Sequence, residues 1–408
     1  MKKTVLRNYA RLIARAGGNV QKGQDVIVRA SLDQPEFVRM LVEECYACGA
    51  RMVRVEWSDL AVTKITQKKA SLKTLSAMEE WEVAKLKHES ETLPVTIWLE
   101  SDDPDGLKGV NQAKMSKAAQ AKYKIRKPYR DAMENKYQWC IAAVPGAAWA
   151  KKVFPGLSKN QAMEKLWEAI LYTSRANEDP MAAWEAHNAD LSARCAYLNG
   201  LGIETLEFRS ANGTDLRVGM IEDALFMGGA EATQGRGVVF NPNIPSEEVF
   251  ISPKKGVADG IVYSSKPLSY RSELIDNFWM RFEGGKVVEA HAEVGDALLQ
   301  EMISMDEGAP YLGECALVPY DSPICNSGIL FYNTLFDENA ACHLALGHGF
   351  TNVIKDYDKY TMQECYDKGI NDSMIHVDFM IGTADLAITA VTRDGNRVPI
   401  FKDGNWAF

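Results

Sequence analysis

The 408-residue sequence has no uninterrupted apolar run of the ~20 residues needed to cross a bilayer, so no membrane partner is expected. Its first stretch, MKKTVLRNYARLIARAGG, spreads cations over Lys2, Lys3, Arg7, Arg11 and Arg15 and lacks the apolar centre of a secretory signal. It reads instead as an amphipathic helix with Val5, Tyr9, Leu12 and Ile13 on one side, and the expected location is cytoplasmic. Eight cysteines are too few and too scattered for a disulfide scaffold. Cys45-x-x-Cys48 has no second pair to complete a zinc knuckle, so both read as small helix-face or core residues. A P-loop is missing, and Gly17, Gly18 and Gly23 precede the first strand rather than follow it, which excludes a dinucleotide fingerprint. The basic stretch 108–130 contains only Tyr123 and Tyr129 as aromatics. It reads as a solvated helix face, and nucleic acid is not an expected partner.

What is present is the composition of a globular protein, 46% hydrophobic and 25% charged, with a net charge of −9. That charge is unevenly divided. Residues 1–200 carry 31 basic against 24 acidic residues (+7), and residues 201–408 carry 15 against 31 (−16). An acidic second half favours cations, either metal ions or a substrate with a positive amino end.

The length suggests more than one domain. In the first half, DVIVRA (25–30), RMVRVEW (51–57), VTIWLES (95–101) and YQWCIAAVP (137–145) are strand-like, with helical stretches between them, one opening at Pro35. This alternation predicts an α/β domain with a mostly parallel sheet over 1–200. Residues 160–200 read as helical up to LNGLG (198–202), where the boundary is placed. From 201 to 408 the pattern predicts an α+β metal-binding domain rich in antiparallel hairpins, with turns at Gly284-Gly285 and Asp394-Gly395. DALLQEMISM and ENAACHLALG read as inserted helices, and 228–245 as a long functional loop.

Three of the six histidines, His343, His348 and His376, fall between Leu335 and Asp378. In His376-x-Asp378 a strand would point imidazole and carboxylate to one face. The pair suits a divalent metal; a pair that merely bond each other is the other reading. Glu247, Glu248 and Glu314 are available as acidic partners. Three carboxylates (Glu248, Glu314, Asp378) and two imidazoles (His343, His376) would crowd one ion and suit two that share a bridging carboxylate. The residues are dispersed over 131 positions, so spacing alone does not bring them together. HExxH is absent, and His343 and His348 would diverge on a helix.

NPNIPSEEVF, LGECALV, LFDENAACHLALG and HVDFMIG, in that order, closely resemble the thermophilic-type metalloaminopeptidases, the aminopeptidase T, aminopeptidase S and PepS group. The resemblance covers most of the chain. It implies a two-domain homodimer that removes N-terminal residues from peptides with a free N-terminus, using two divalent ions (Zn, Co, Mn or Mg). Position by position it implies Glu248, Glu314, His343, His376 and Asp378 as metal ligands, with Glu248 and Glu314 also the candidate catalytic carboxylates. The family tyrosine seven residues after the first histidine is here Phe350, which has no hydroxyl to offer. His348 could substitute for it, or be a capping residue. Glu247 could bind the substrate amine or act as a base, or be a solvated neighbour. A rival reading takes His343, His376 and Asp378 alone as the facial triad of a non-haem Fe(II) ring-cleaving dioxygenase. Glu248 and Glu314, superfluous for one iron, favour the peptidase.

Overall fold

Buried β-branched runs build the first sheet. In the computed structural model, which describes residues 1–177 and 179–408, Asp25–Ser31 lies between Met52–Ser58 and Val95–Glu100, and Trp139–Ala143 continues the sheet. All of these pair in parallel. Val26, Ile27, Val28, Val95 and Ile97 are buried in it, which is why these strands read as continuous apolar runs. The helix Pro35–Ala47 starts with proline at its first turn. The first helix, Lys3–Leu12, buries Tyr9 and Leu12, and the Tyr9 hydroxyl donates to the Ala143 carbonyl at 3.1 Å. The helices Lys159–Thr173 and Pro180–Gly200 fill the stretch expected to be helical, and Glu178 within it lies outside the described residues.

The chain forms two compact units, Met1–Asn188 with Gly229–Ser246, and Ala189–Gly228 with Glu247–Phe408. This differs from the single cut at 200 expected from sequence. Backbone pairing is the reason: Asn243–Ile244 adds to the first sheet as a parallel neighbour of Trp139–Ala143, recruiting the glycine-rich stretch into the first unit.

The second unit holds two antiparallel sheets. The larger, nine-stranded one contains the anticipated hairpins, Glu273–Glu283 with Lys286–Val294 and Ala387–Thr392 with Arg397–Lys402. Gly284 and Gly285 both have positive φ (54° and 78°), as the tight turn requires. The smaller sheet runs in the order His376–Met380, His343–Gly347, Leu312–Leu317, Val249–Ile251, Met227–Gly228.

The helix Asp296–Ile303 is where the sequence suggested one, but ENAACHLALG is not a helix. It is a short turn, Glu338–Ala340, followed by the strand His343–Gly347. Every residue of that strand is buried, so no polar alternation marks it, and its Ala and Leu are good helix formers. Pairing on both sides, to Leu312–Leu317 and His376–Met380, overrides that local preference. Among the described residues no helix is long and apolar enough to cross a membrane.

Candidate metal centre

Register in the smaller sheet brings the charged residues onto one face. Glu314 lies opposite Ala345, and Ala345 opposite Asp378. His343 lies opposite Ala316, and Gly347 opposite His376. Because side chains alternate, His343 and Ala345 share a face, as do Glu314 and Ala316, and His376 and Asp378. Phe250 pairs with Ala316, which puts Glu248, two residues before it, on the same side. Ala316 and Ala345 thus stand between the acids and imidazoles, and their short side chains leave room above the sheet.

The functional atoms converge. His343 Nε2 is 3.1 Å from Glu248 Oε2. His376 Nε2 is 3.0 Å from Glu314 Oε2 and 3.3 Å from Asp378 Oδ1. Its other nitrogen, Nδ1, lies 2.7 Å from the His348 carbonyl oxygen, which fixes the ring and leaves Nε2 for the site. Glu248, Glu314, His343 and Asp378 are buried, and His376 is half-buried.

Such crowding perturbs every titration. Burial raises the Glu314 carboxyl to about 7; the hydrogen bond from His376 opposes this, and the Glu248 charge adds to it. His343 is raised to about 9, because the Glu248 interaction outweighs the cost of burying a cation. His376 is likewise raised, burial opposing and Asp378 prevailing. Asp378 is lowered to about 2, the His376 cation overcoming its burial.

Two observations fit a metal better than a self-contained ion-pair cluster. Both ring nitrogens of His343, and Asp378 Oδ1, have no hydrogen-bond partner among the described residues, although all are buried. The short His343–Glu248 separation is therefore a contact without hydrogen-bond alignment, as expected of two groups aimed at a common third point. Among the described residues, ligand atoms cluster within 4.8 Å in two groups: Glu248, Glu314 and His343; and Glu314, His376 and Asp378. Mixed carboxylate and imidazole donors of this kind suit a divalent transition ion.

Residues 2–406 match the family described as thermophilic metalloprotease (M29). The chain belongs to that family. Aminopeptidase AmpS of Bacillus subtilis (strain 168) is 42% identical to this metalloprotease over 405 residues, covering 99% of this chain and 98% of the relative. Aminopeptidase T of Thermus aquaticus is 38% identical over 406 residues, 98% of each chain. Among solved structures, wild-type AmpT from Thermus thermophilus superposes with a TM-score of 0.89 at 37% identity over the whole of both chains. A 2,5-dihydroxypyridine dioxygenase from Pseudomonas putida KT2440 matches with a TM-score of only 0.48 at 12% identity, and nothing rests on that likeness. A metalloprotease of this family requires a divalent metal, and the two groups are where this chain can hold one.

The remaining residues of the metalloprotease site divide clearly. Glu338, which the sequence did not single out, is buried beside the cluster. Its carboxyl is held well above the ordinary range by burial and by the charges of Asp378, Glu248 and Glu314. A signal existed: it is an acid five residues before His343, between Asp337 and Asn339 in the LFDENAACH stretch. His348 is buried outside both ligand groups. Its Nδ1 is 3.7 Å from Asp372 Oδ1, and its contribution to the site is the carbonyl that orients His376. Glu247 also lies outside both groups, with its backbone N–H donated to Asn339 Oδ1 at 2.7 Å. Phe350 packs its ring 4.9 Å from the His376 ring and 5.4 Å from Phe250. His88, His187 and His291 take no part; His187 instead lies 2.7 Å from the Ser246 carbonyl.

Proposed function

We propose that the protein is a metal-dependent aminopeptidase that hydrolyses the N-terminal bond of peptides at a two-ion centre. Glu248, Glu314 and His343 would hold one divalent ion (Zn, Co, Mn or Mg), and Glu314, His376 and Asp378 the other. The observation that carries this reading is the membership of Glu314 in both ligand groups, the position a bridging carboxylate must occupy. Charge agrees: with neutral imidazoles, the carboxylates of Glu248, Glu314 and Asp378 offset most of the charge of two divalent cations.

Ions bound there would polarise the scissile carbonyl and bring the pKa of a water down to about 7. The chain's own groups do the rest. The His348 carbonyl holds the proton on His376 Nδ1, so that Nε2 faces the reaction as a lone pair. One carboxylate of the candidate pair Glu248 and Glu314 takes a proton from the attacking water and passes it to the leaving amine as the C–N bond breaks. The acidic field of the unit draws in the free α-amino group of the substrate. A homodimer and a cytoplasmic location belong to the same reading, checked by light scattering and cell fractionation.

The test is release of the first residue from a leucine-headed peptide by metal-reconstituted protein, beside the N-acetylated peptide. Cleavage of the free peptide only, lost on chelation and in Glu248→Ala and Asp378→Ala, is expected. The loss in those variants should exceed the roughly 10–100-fold typical of outer partners of a metal. Cleavage that persists in either folded variant would refute the assignment.

A further inference from the structure

The carboxylates of the centre come from distant segments and repel each other, so something uncharged must hold them in place. Asn339 does so. It is completely buried, directly after Glu338 and four residues before His343. Its Oδ1 accepts the Glu247 N–H at 2.7 Å. Its Nδ2 donates to the Leu335 carbonyl at 3.0 Å and to Glu338 Oε1 at 3.2 Å. The orientation of the amide is forced, because a backbone N–H can only donate and a carbonyl can only accept.

One side chain thereby reaches both ligand groups. Through the Glu247 backbone it fixes the residue preceding Glu248, whose carboxylate meets His343. Through Glu338, whose turn Glu338–Ala340 packs against the strand His376–Met380, it reaches the His376 side. Its third bond, to Leu335, anchors it to the helical turn Thr334–Asp337. An aspartate here would face Glu338 with like charge, and an apolar residue would leave the buried Glu247 N–H without its acceptor.

We infer that Asn339 is the positioning residue of the metal centre, setting the separation of its two ligand groups without touching an ion. The inference rests on the metal-centre reading above. It is tested on ion-free full-length protein titrated with cobalt(II), in competition with a chromophoric chelator, with the visible cobalt bands recorded. Asn339→Ala removes all three bonds, and Asn339→Leu removes them while filling the space. In both, cobalt affinity should fall about 10–100-fold, as for other outer partners of metals, and the cobalt bands should shift. If Asn339→Ala does not fold, Asn339→Leu carries the measurement. Folded variants with the wild-type affinity and spectrum, and only a lower melting temperature, would overturn the inference. Wild-type protein that binds no cobalt would instead overturn the metal-centre reading itself.

Discussion

Glu314→Gln should make the ion-free protein more stable and the metal-loaded protein inactive. In the native fold the Glu314 carboxyl, raised from 4.5 to about 7, is only 4% exposed. The folded state therefore binds more protons at this site than the unfolded chain between those values. Stability contributed by the group falls as pH rises through that window, and the full penalty is present above 7. At about 1.4 kcal/mol per pH unit, ionised Glu314 costs the ion-free fold on the order of 3 kcal/mol at pH 8 and about 1 kcal/mol at pH 5. Glutamine mimics the protonated acid, keeping the shape and an oxygen for His376 while removing the charge. Urea unfolding in the presence of chelator, followed by tryptophan fluorescence, should show the variant more stable at pH 8 by roughly that amount, with a smaller gain at pH 5. Zinc or cobalt should then stabilise the wild type strongly and the variant little. A variant no more stable than wild type at pH 8 would refute the argument that Glu314 is held under strain for a cation.

Metal binding should release protons and tighten with pH. His343 at about 9 and Glu314 at about 7 must both lose protons to become ligands, so affinity should climb from pH 6 to 9. Calorimetry in buffers of differing ionisation enthalpy would detect the release, and a pH-independent affinity would contradict it. Gly313→Ala should disable the site from beside it. A Cβ there would lie 2.2 Å from the His348 carbonyl oxygen and 2.5 Å from that of Gly347, displacing the acceptor that orients His376. A loss of cobalt affinity on the order of 10–100-fold is expected, with the cobalt spectrum as the check.

Elements whose pattern matched their surroundings were readable in the sequence. The parallel strands Asp25–Ser31 and Val95–Glu100 are buried and read as apolar runs, and the hairpins announce their turns through Gly284-Gly285 and Asp394-Gly395. Where long-range pairing decided the outcome, local preference misled. HLALG has helix-forming residues and no alternation, yet two partner strands make it extended. The same error hid the geometry of the site, since a helix sends His343 and His348 apart, whereas the strand lines His343 up with Glu314 and Asp378. Glu338 was passed over because the adjacent acids Asp337 and Glu338, followed by Asn339, read as a polar turn without a spacing motif; only its burial beside Asp378 gives it meaning. Asn339 is equally silent in sequence, its three bonds reaching residues from 1 to 92 positions away.

The path of the backbone has a consequence for inheritance. The polypeptide passes from one unit to the other at 188, returns at 228, and passes again at 246, two residues before Glu248. The segment that ends in this ligand is first committed, as Asn243–Ile244, to the parallel sheet. The antiparallel unit is therefore not one contiguous fragment: it takes 189–228 and 247–408, and the stretch between them supplies a strand of the parallel sheet. The two halves cannot be exchanged between proteins by one recombination event, and a ribosome must deliver residues of both before either is complete. Selection on the ligand at 248 thus acts on a segment whose strand at 243–244, five residues earlier, is already tied into the parallel sheet.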